Sequence, residues 1–109
     1  MTKKRLTIHK DQRRIISQRF AKARNQYKNN ASYRDFGKYV GVAHSTIQEI
    51  EAYNSEPSYE VIRKMIAKFG GTFAYWLGEA TCKNPDNEAI HNLTGLSEEA
   101  INKLREYKN

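Results

Sequence analysis

Cysteine is nearly missing from this 109-residue chain, and the one copy, Cys82, excludes an internal disulfide and offers no thiolate cluster to a metal. Histidine is sparse as well: His9, His44 and His91 lie far apart without ligand spacing, so no metal site is expected. No apolar run approaches the roughly 20 residues that span a bilayer. The N-terminus is basic but lacks the apolar stretch of a secretory signal. Internal repeats and low-complexity tracts are absent. So are a phosphate-cradling glycine loop, paired carboxylates with an obvious partner, and a nucleophile with a base nearby. Cys82 therefore reads as incidental rather than catalytic. No enzyme activity and no cofactor are expected, and the default compartment is the cytoplasm.

Acid is scarce in one particular place. The formal net charge is +7, yet residues 1–28 carry ten Lys or Arg and only Asp11, whereas residues 29–109 carry nine bases and eleven acids. The positive field is thus concentrated on the first segment. A polyanion is the natural partner, nucleic acid first and an acidic membrane surface second. A solvated helix face would carry as much charge, so the asymmetry needs support from elsewhere.

What is present is a chain with apolar residues at 39%, enough for one globular domain with a single core. Its patterning is helical throughout. Ile16, Phe20, Ala23 and Tyr27 recur at helical spacing and predict a first helix from Asp11 to Lys28, closed by Asn29-Asn30. Ser32 reads as the cap of a second helix, with Asp35 three residues on. Pro57 and Ser58 introduce a fourth, Tyr59 to Phe69, with Ile62, Met65, Ile66 and Phe69 inward. Phe73, Trp76 and Leu77 mark a fifth. Beyond it, Asn84-Pro85 opens a short turn of helix to His91. Leu96-Ser97 then begins a last helix whose face is Ala100, Ile101, Leu104 and Tyr107. That face either folds back on the domain or pairs with a second copy, and the chain ends within this helix, which leaves room for a longer protein.

The centre is Tyr33–Ala52, YRDFGKYVGVAHSTIQEIEA. Phe36 and Val40 share a face, Gly41 follows where a left-handed residue is needed, Val42 turns inward, and Ile47 and Ile50 form a second stripe. Gly37 faces that stripe across the turn and permits close crossing. A plain helical hairpin would supply half of this pattern, without the need for Gly37, Gly41 and Glu51 together. The run Phe36-Gly37, Val40-Gly41-Val42, Thr46-Ile47, Ile50-Glu51 resembles the helix-turn-helix of the XRE group, the lambda-repressor-like proteins. The likeness covers roughly Ile15 to Gly78. It departs at Tyr53, where family members usually have glycine, so that Asn54 is expected to take the left-handed position. The loop after the first helix is also about two residues longer than the family's short form.

The resemblance implies an all-α fold: a five-helix lambda-repressor-like DNA-binding domain at 11–80, preceded by a basic arm at 1–10 and followed by a C-terminal helical extension at 81–109. It implies sequence-specific binding of double-stranded DNA, an operator bound by a homodimer, and a regulator of transcription, most simply a repressor. It also implies an inner ion pair between Arg24 and Glu51, and an arm, Lys3, Lys4 and Arg5, that gains affinity on phosphates by displacing counterions. A meaningless basic terminus would look the same as that arm.

With Ile47 and Ile50 inward, the opposite face of the recognition helix carries His44, Ser45, Gln48 and Glu49. Gln48 suits adenine and Ser45 several bases, while Glu49 can accept from cytosine or simply exclude wrong sites. The family commonly reads bases from the positions of His44, Ser45 and Glu49. Tyr33, through its hydroxyl, together with Lys38 and Asn54, is the candidate set for phosphates. Other readings are an antitoxin-like protein that also binds a toxin, and an interaction module that has lost DNA binding.

Overall fold

Seven helices follow one another in the computed structural model, which describes residues 10–108 and side chains as far as Glu106. The arm residues Lys3, Lys4 and Arg5, and the side chain of Tyr107, lie outside the described residues. The order is α1 Lys10–Tyr27, α2 Tyr33–Val40, α3 His44–Glu51, α4 Tyr59–Phe69, α5 Phe73–Trp76, α6 Pro85–Thr94 and α7 Glu98–Lys108. No strand occurs among the described residues, and none of their helices is long and apolar enough to cross a membrane.

α1 buries Ile16, Phe20 and Ala23 along one stripe. Tyr27 continues the stripe in sequence, yet its ring sits at the rim, stacked on Tyr39 with centroids 4.3 Å apart. Asn30 closes the turn in the left-handed region, at φ 57°. The Ser32 hydroxyl then accepts from the Asp35 N–H and starts α2. Phe36 and Val40 go inward, and Gly41 ends the helix at φ 89°.

Gly37 is required by a close approach. A Cβ there would lie 2.4 Å from the Val42 carbonyl oxygen and 3.3 Å from the His44 nitrogen. The glycine therefore makes room for the turn itself and the first residue of α3, rather than for the Ile47–Ile50 stripe. The Gly37 carbonyl accepts from both Gly41 and Val42, and Lys64 of α4 donates to the Gly41 carbonyl at 2.8 Å.

α3 buries Ile47 and Ile50 against α1 and α2. Its exit corrects one expectation. Tyr53, not Asn54, occupies the left-handed position, at φ 67°. The Tyr53 N–H donates to the Ile50 carbonyl and the Asn54 N–H to the Glu49 carbonyl, a paired ending that fixes which residue must turn left-handed.

α4 is capped by Ser58, and α5 closes the core with Trp76, whose indole donates to the Gly70 carbonyl and meets Phe20 edge-on. Two further residues are buried beside the expected stripes, Val61 and Tyr75. The Tyr75 ring lies under the Arg19 guanidinium, 4.0 Å away, and Arg19 also donates to the carbonyls of Tyr75 and Ala80.

α6 runs on to Thr94, past the expected His91, and stops at Gly95 with φ 75°. It forms a hairpin with α7. The connection from α5 is held by two carboxylates: Glu88 accepts from the N–H groups of Thr81 and Cys82, and Glu98 from those of Lys83 and Asn84 and from the Asn87 amide. Ile101 is buried at 1% exposure, so it already has its partners within the chain, while Leu104 is 53% and Leu93 87% exposed.

Candidate nucleic-acid interface

α3 has two unlike sides. Ile47 and Ile50 take the inner one, and His44, Ser45, Gln48 and Glu49 are all exposed on the outer one. Offsets of one, four and five residues put these four side chains on a single helical face. Ala43 precedes the helix without a side-chain cap, so the first N–H groups of α3 keep their donors free of any local side chain.

A groove of about 540 Å³ runs along the start of this face. It is lined by Arg34, Gly37, Lys38, Gly41, Val42, Ala43 and His44. Arg34 and Lys38 are one turn apart on α2, so two cations flank the start of α3. The structure thus brings Lys38 and His44 together and adds Arg34, which the sequence reading passed over. Its spacing from Lys38 was the available signal. Tyr33 and Asn54 are not among the residues lining the groove. Tyr33 is partly buried against the core, with the Arg24 guanidinium 4.7 Å from its ring centroid. Asn54 is exposed beyond the far end of α3.

Behind α3 sits a bidentate ion pair. Arg24 Nε and Nη2 donate to the two Glu51 oxygens, each at 3.0 Å, and Nη1 donates to the Ala31 carbonyl at 2.7 Å. The side chains are 18% and 7% exposed respectively. The bonds to Glu51 raise the Arg24 pKa above its ordinary value, against the opposing effect of burial. The Glu51 carbonyl is also taken, by the Ser17 hydroxyl at 2.7 Å. One residue thus ties the end of α3 to two points on α1 about two turns apart, which sets the pose of α3.

Cys82 is buried, and burial, with Glu98 and Glu88 nearby, pushes its thiol pKa up, away from the reactive thiolate. Among the described residues no group of His, Cys, Asp and Glu is placed to hold a metal ion.

A short helix, a glycine turn and a second helix with a polar outer face, both packed on α1, define a helix-turn-helix nucleic-acid-binding domain. The family model described as helix-turn-helix matches residues 20–76, from the middle of α1 to the end of α5. That is more than half of the chain, and the protein belongs to this family in its XRE, lambda-repressor-like form, a family of DNA-binding transcription regulators. Neither a curated protein nor a solved structure matches the chain.

Proposed function

We propose that the protein represses transcription by binding one operator sequence in double-stranded DNA as a homodimer. The observation that carries this reading is the outer face of α3, where four polar side chains stand opposite Ile47 and Ile50. His44 and Ser45 open the helix, the part that reaches deepest into a major groove. Gln48 reads adenine through paired hydrogen bonds. Glu49 accepts from cytosine, or discriminates by repulsion. Arg34 and Lys38 grip the flanking phosphates, joined by Tyr33 and Asn54, and Lys3, Lys4 and Arg5 add sequence-neutral affinity that salt weakens.

One such helix covers half a site. A second copy supplies the other half about one DNA turn away, ~34–36 Å. Among the described side chains of the α6–α7 hairpin, the large apolar ones left exposed for that contact are Leu93 and Leu104, since Ile101 is spent within the chain. The same two leucines favour a second reading, in which the hairpin holds a different protein, as an antitoxin holds its toxin. Sedimentation of the full chain, alone and as purified with its companions, separates the two.

Selection of bound sequences from random duplex DNA tests the proposal. A two-fold-related motif is expected, and Gln48→Ala should relax the preference at one base position per half-site, at a cost of roughly 1–3 kcal/mol. Profiles unchanged by substitution of His44, Ser45 and Gln48 alike would end the claim of direct readout.

A further inference from the structure

Two non-glycine residues among those described have positive φ, Asn30 and Tyr53. Asparagine enters the left-handed region readily. For a bulky aromatic residue it is a genuine outlier, because the Cβ crowds the following carbonyl. Tyr53 sits where the hydrogen bonds of the α3 ending demand that conformation, with N–H groups of Ala52, Tyr53 and Asn54 donating to the carbonyls of Gln48, Ile50 and Glu49. Glycine would satisfy the same bonds without strain.

Beyond those backbone bonds, the described residues give the Tyr53 side chain no polar or ring partner. The Tyr53 side chain is 47% exposed. Among the described residues its hydroxyl makes no hydrogen bond, and its ring neither stacks on another ring nor lies beneath a cation, unlike those of Tyr27, Tyr33, Tyr39, Tyr59 and Tyr75. A strained backbone whose half-exposed side chain has no polar or ring partner among the described residues points to use outside the chain.

Its place says where. The outer face of α3 repeats every four residues, His44 and Ser45, then Gln48 and Glu49. Ala52 and Tyr53, both exposed, follow directly at the C-terminal end of that face, and the φ of 67° at Tyr53 turns its Cβ off the helical path, beyond the base-reading side chains. We infer that Tyr53 is a DNA-contacting residue, its hydroxyl bonded to a backbone phosphate and its ring laid against the adjoining sugar, at the edge of the bases read by α3. This rests on the operator-binding reading above and adds to it a contact that glycine cannot make. A hydroxyl donor adds no cation to the interface, so the contact positions the helix without displacing a counterion.

The test uses the full chain with Tyr53→Gly, Tyr53→Asn and Tyr53→Phe. Tyr53→Gly and Tyr53→Asn relieve the backbone and should raise Tm by about 2–5 °C. Asparagine does so without the added unfolded-state freedom of glycine. Both should nonetheless bind the selected operator and random duplex more weakly, by a similar factor of about 5–30, with an unchanged slope of affinity against salt. Tyr53→Phe should keep the wild-type Tm and lose most of that affinity. A higher Tm with undiminished binding would remove Tyr53 from the interface. A lower Tm in both Tyr53→Gly and Tyr53→Asn would mean that the side chain serves the fold, and would overturn the inference equally. Failure of the wild-type chain to retard any duplex would refute the operator reading itself and this contact with it.

Discussion

Arg24→Ala removes three hydrogen bonds in one step, two to Glu51 and one to the Ala31 carbonyl. The Glu51 carboxylate stays behind at 7% exposure, with too little water to replace its donors. Stranding one member of a buried ion pair costs about 3–5 kcal/mol. The guanidinium is 18% exposed, so some water enters where it stood, and the lower end, about 3 kcal/mol, is expected here. In a domain of this size that lowers Tm by about 10–20 °C. Thermal unfolding followed by far-UV circular dichroism at neutral pH measures it. The double variant Arg24→Ala, Glu51→Ala supplies the control. With no charge left stranded, it should recover at least about 1 kcal/mol relative to the sum of the single changes. A melting temperature within about 2 °C of wild type for Arg24→Ala, or strictly additive single changes, would refute the claim that the pair fastens α3 to α1.

Gly37→Ala drives a methyl group into the Val42 carbonyl, and overpacking of this kind costs typically 1–3 kcal/mol, here about 3 because the obstacle is backbone. Duplex binding measured well below the lowered Tm should also fall, because the displaced turn carries α3; an unchanged Tm would show that the turn yields freely. Ala43→Ser gives α3 the side-chain cap it lacks and should add about 1 kcal/mol in urea unfolding, whereas no gain would mean that the Thr46 N–H is already satisfied by the Ala43 carbonyl, to which it donates at 3.0 Å. Burial tends to raise the Glu98 pKa, but hydrogen bonds from Asn84, Asn87 and Lys83 and the Lys83 charge outweigh it, and the net shift is downward; the Glu88 pKa is lowered mainly by the N–H groups of Cys82 and Thr81. Groups whose pKa is depressed in the folded state stabilise fully above the ordinary glutamate value of about 4.3 and lose that stabilisation as pH falls through their folded values. The amide resonances of Thr81 to Asn84 should therefore shift with midpoints below about 4.3, and midpoints at or above it would contradict the clamp.

Helix starts were the most legible part of the sequence, because a cap is a local event. Ser32, Ser58 and Asn84 each stand where their oxygen accepts the N–H two or three residues ahead. The turn was legible for a similar reason, since Gly37 and Gly41 are demanded by backbone geometry within a few residues. The exit of α3 was not. Asn54 is the better left-handed residue by propensity, yet the paired hydrogen bonds to Ile50 and Glu49 fall one residue earlier and impose the conformation on Tyr53. The length of α6 escaped because PDNEAIHNLT has too few apolar residues to show a stripe, although Gly95 marked its end. Long-range bonds leave no local trace at all. That Glu88 and Glu98 would hold the preceding connection, or that Ile101 would be buried while Leu104 stays exposed, depends on how the hairpin folds over. The face of α3 followed from the two isoleucines opposite, whereas Arg34 required knowing which side of α2 borders the groove.

The connection between α5 and α6 has a mechanical consequence. An ordinary loop is solvated and absorbs an inserted residue for little free energy. Here four successive N–H groups, Thr81 to Asn84, are all taken by carboxylates rooted in the hairpin, and Lys83 also donates to the Phe69 carbonyl at the end of α4. Such a joint transmits torque. The direction in which Leu93 and Leu104 point is tied to these four residues rather than left to diffusion of a tether. One residue added between Thr81 and Asn84 would shift the amides out of register with both carboxylates and redirect the whole hairpin, with α3 untouched. The distance between any two recognition helices joined through that hairpin is thus inherited separately from the bases that each one reads.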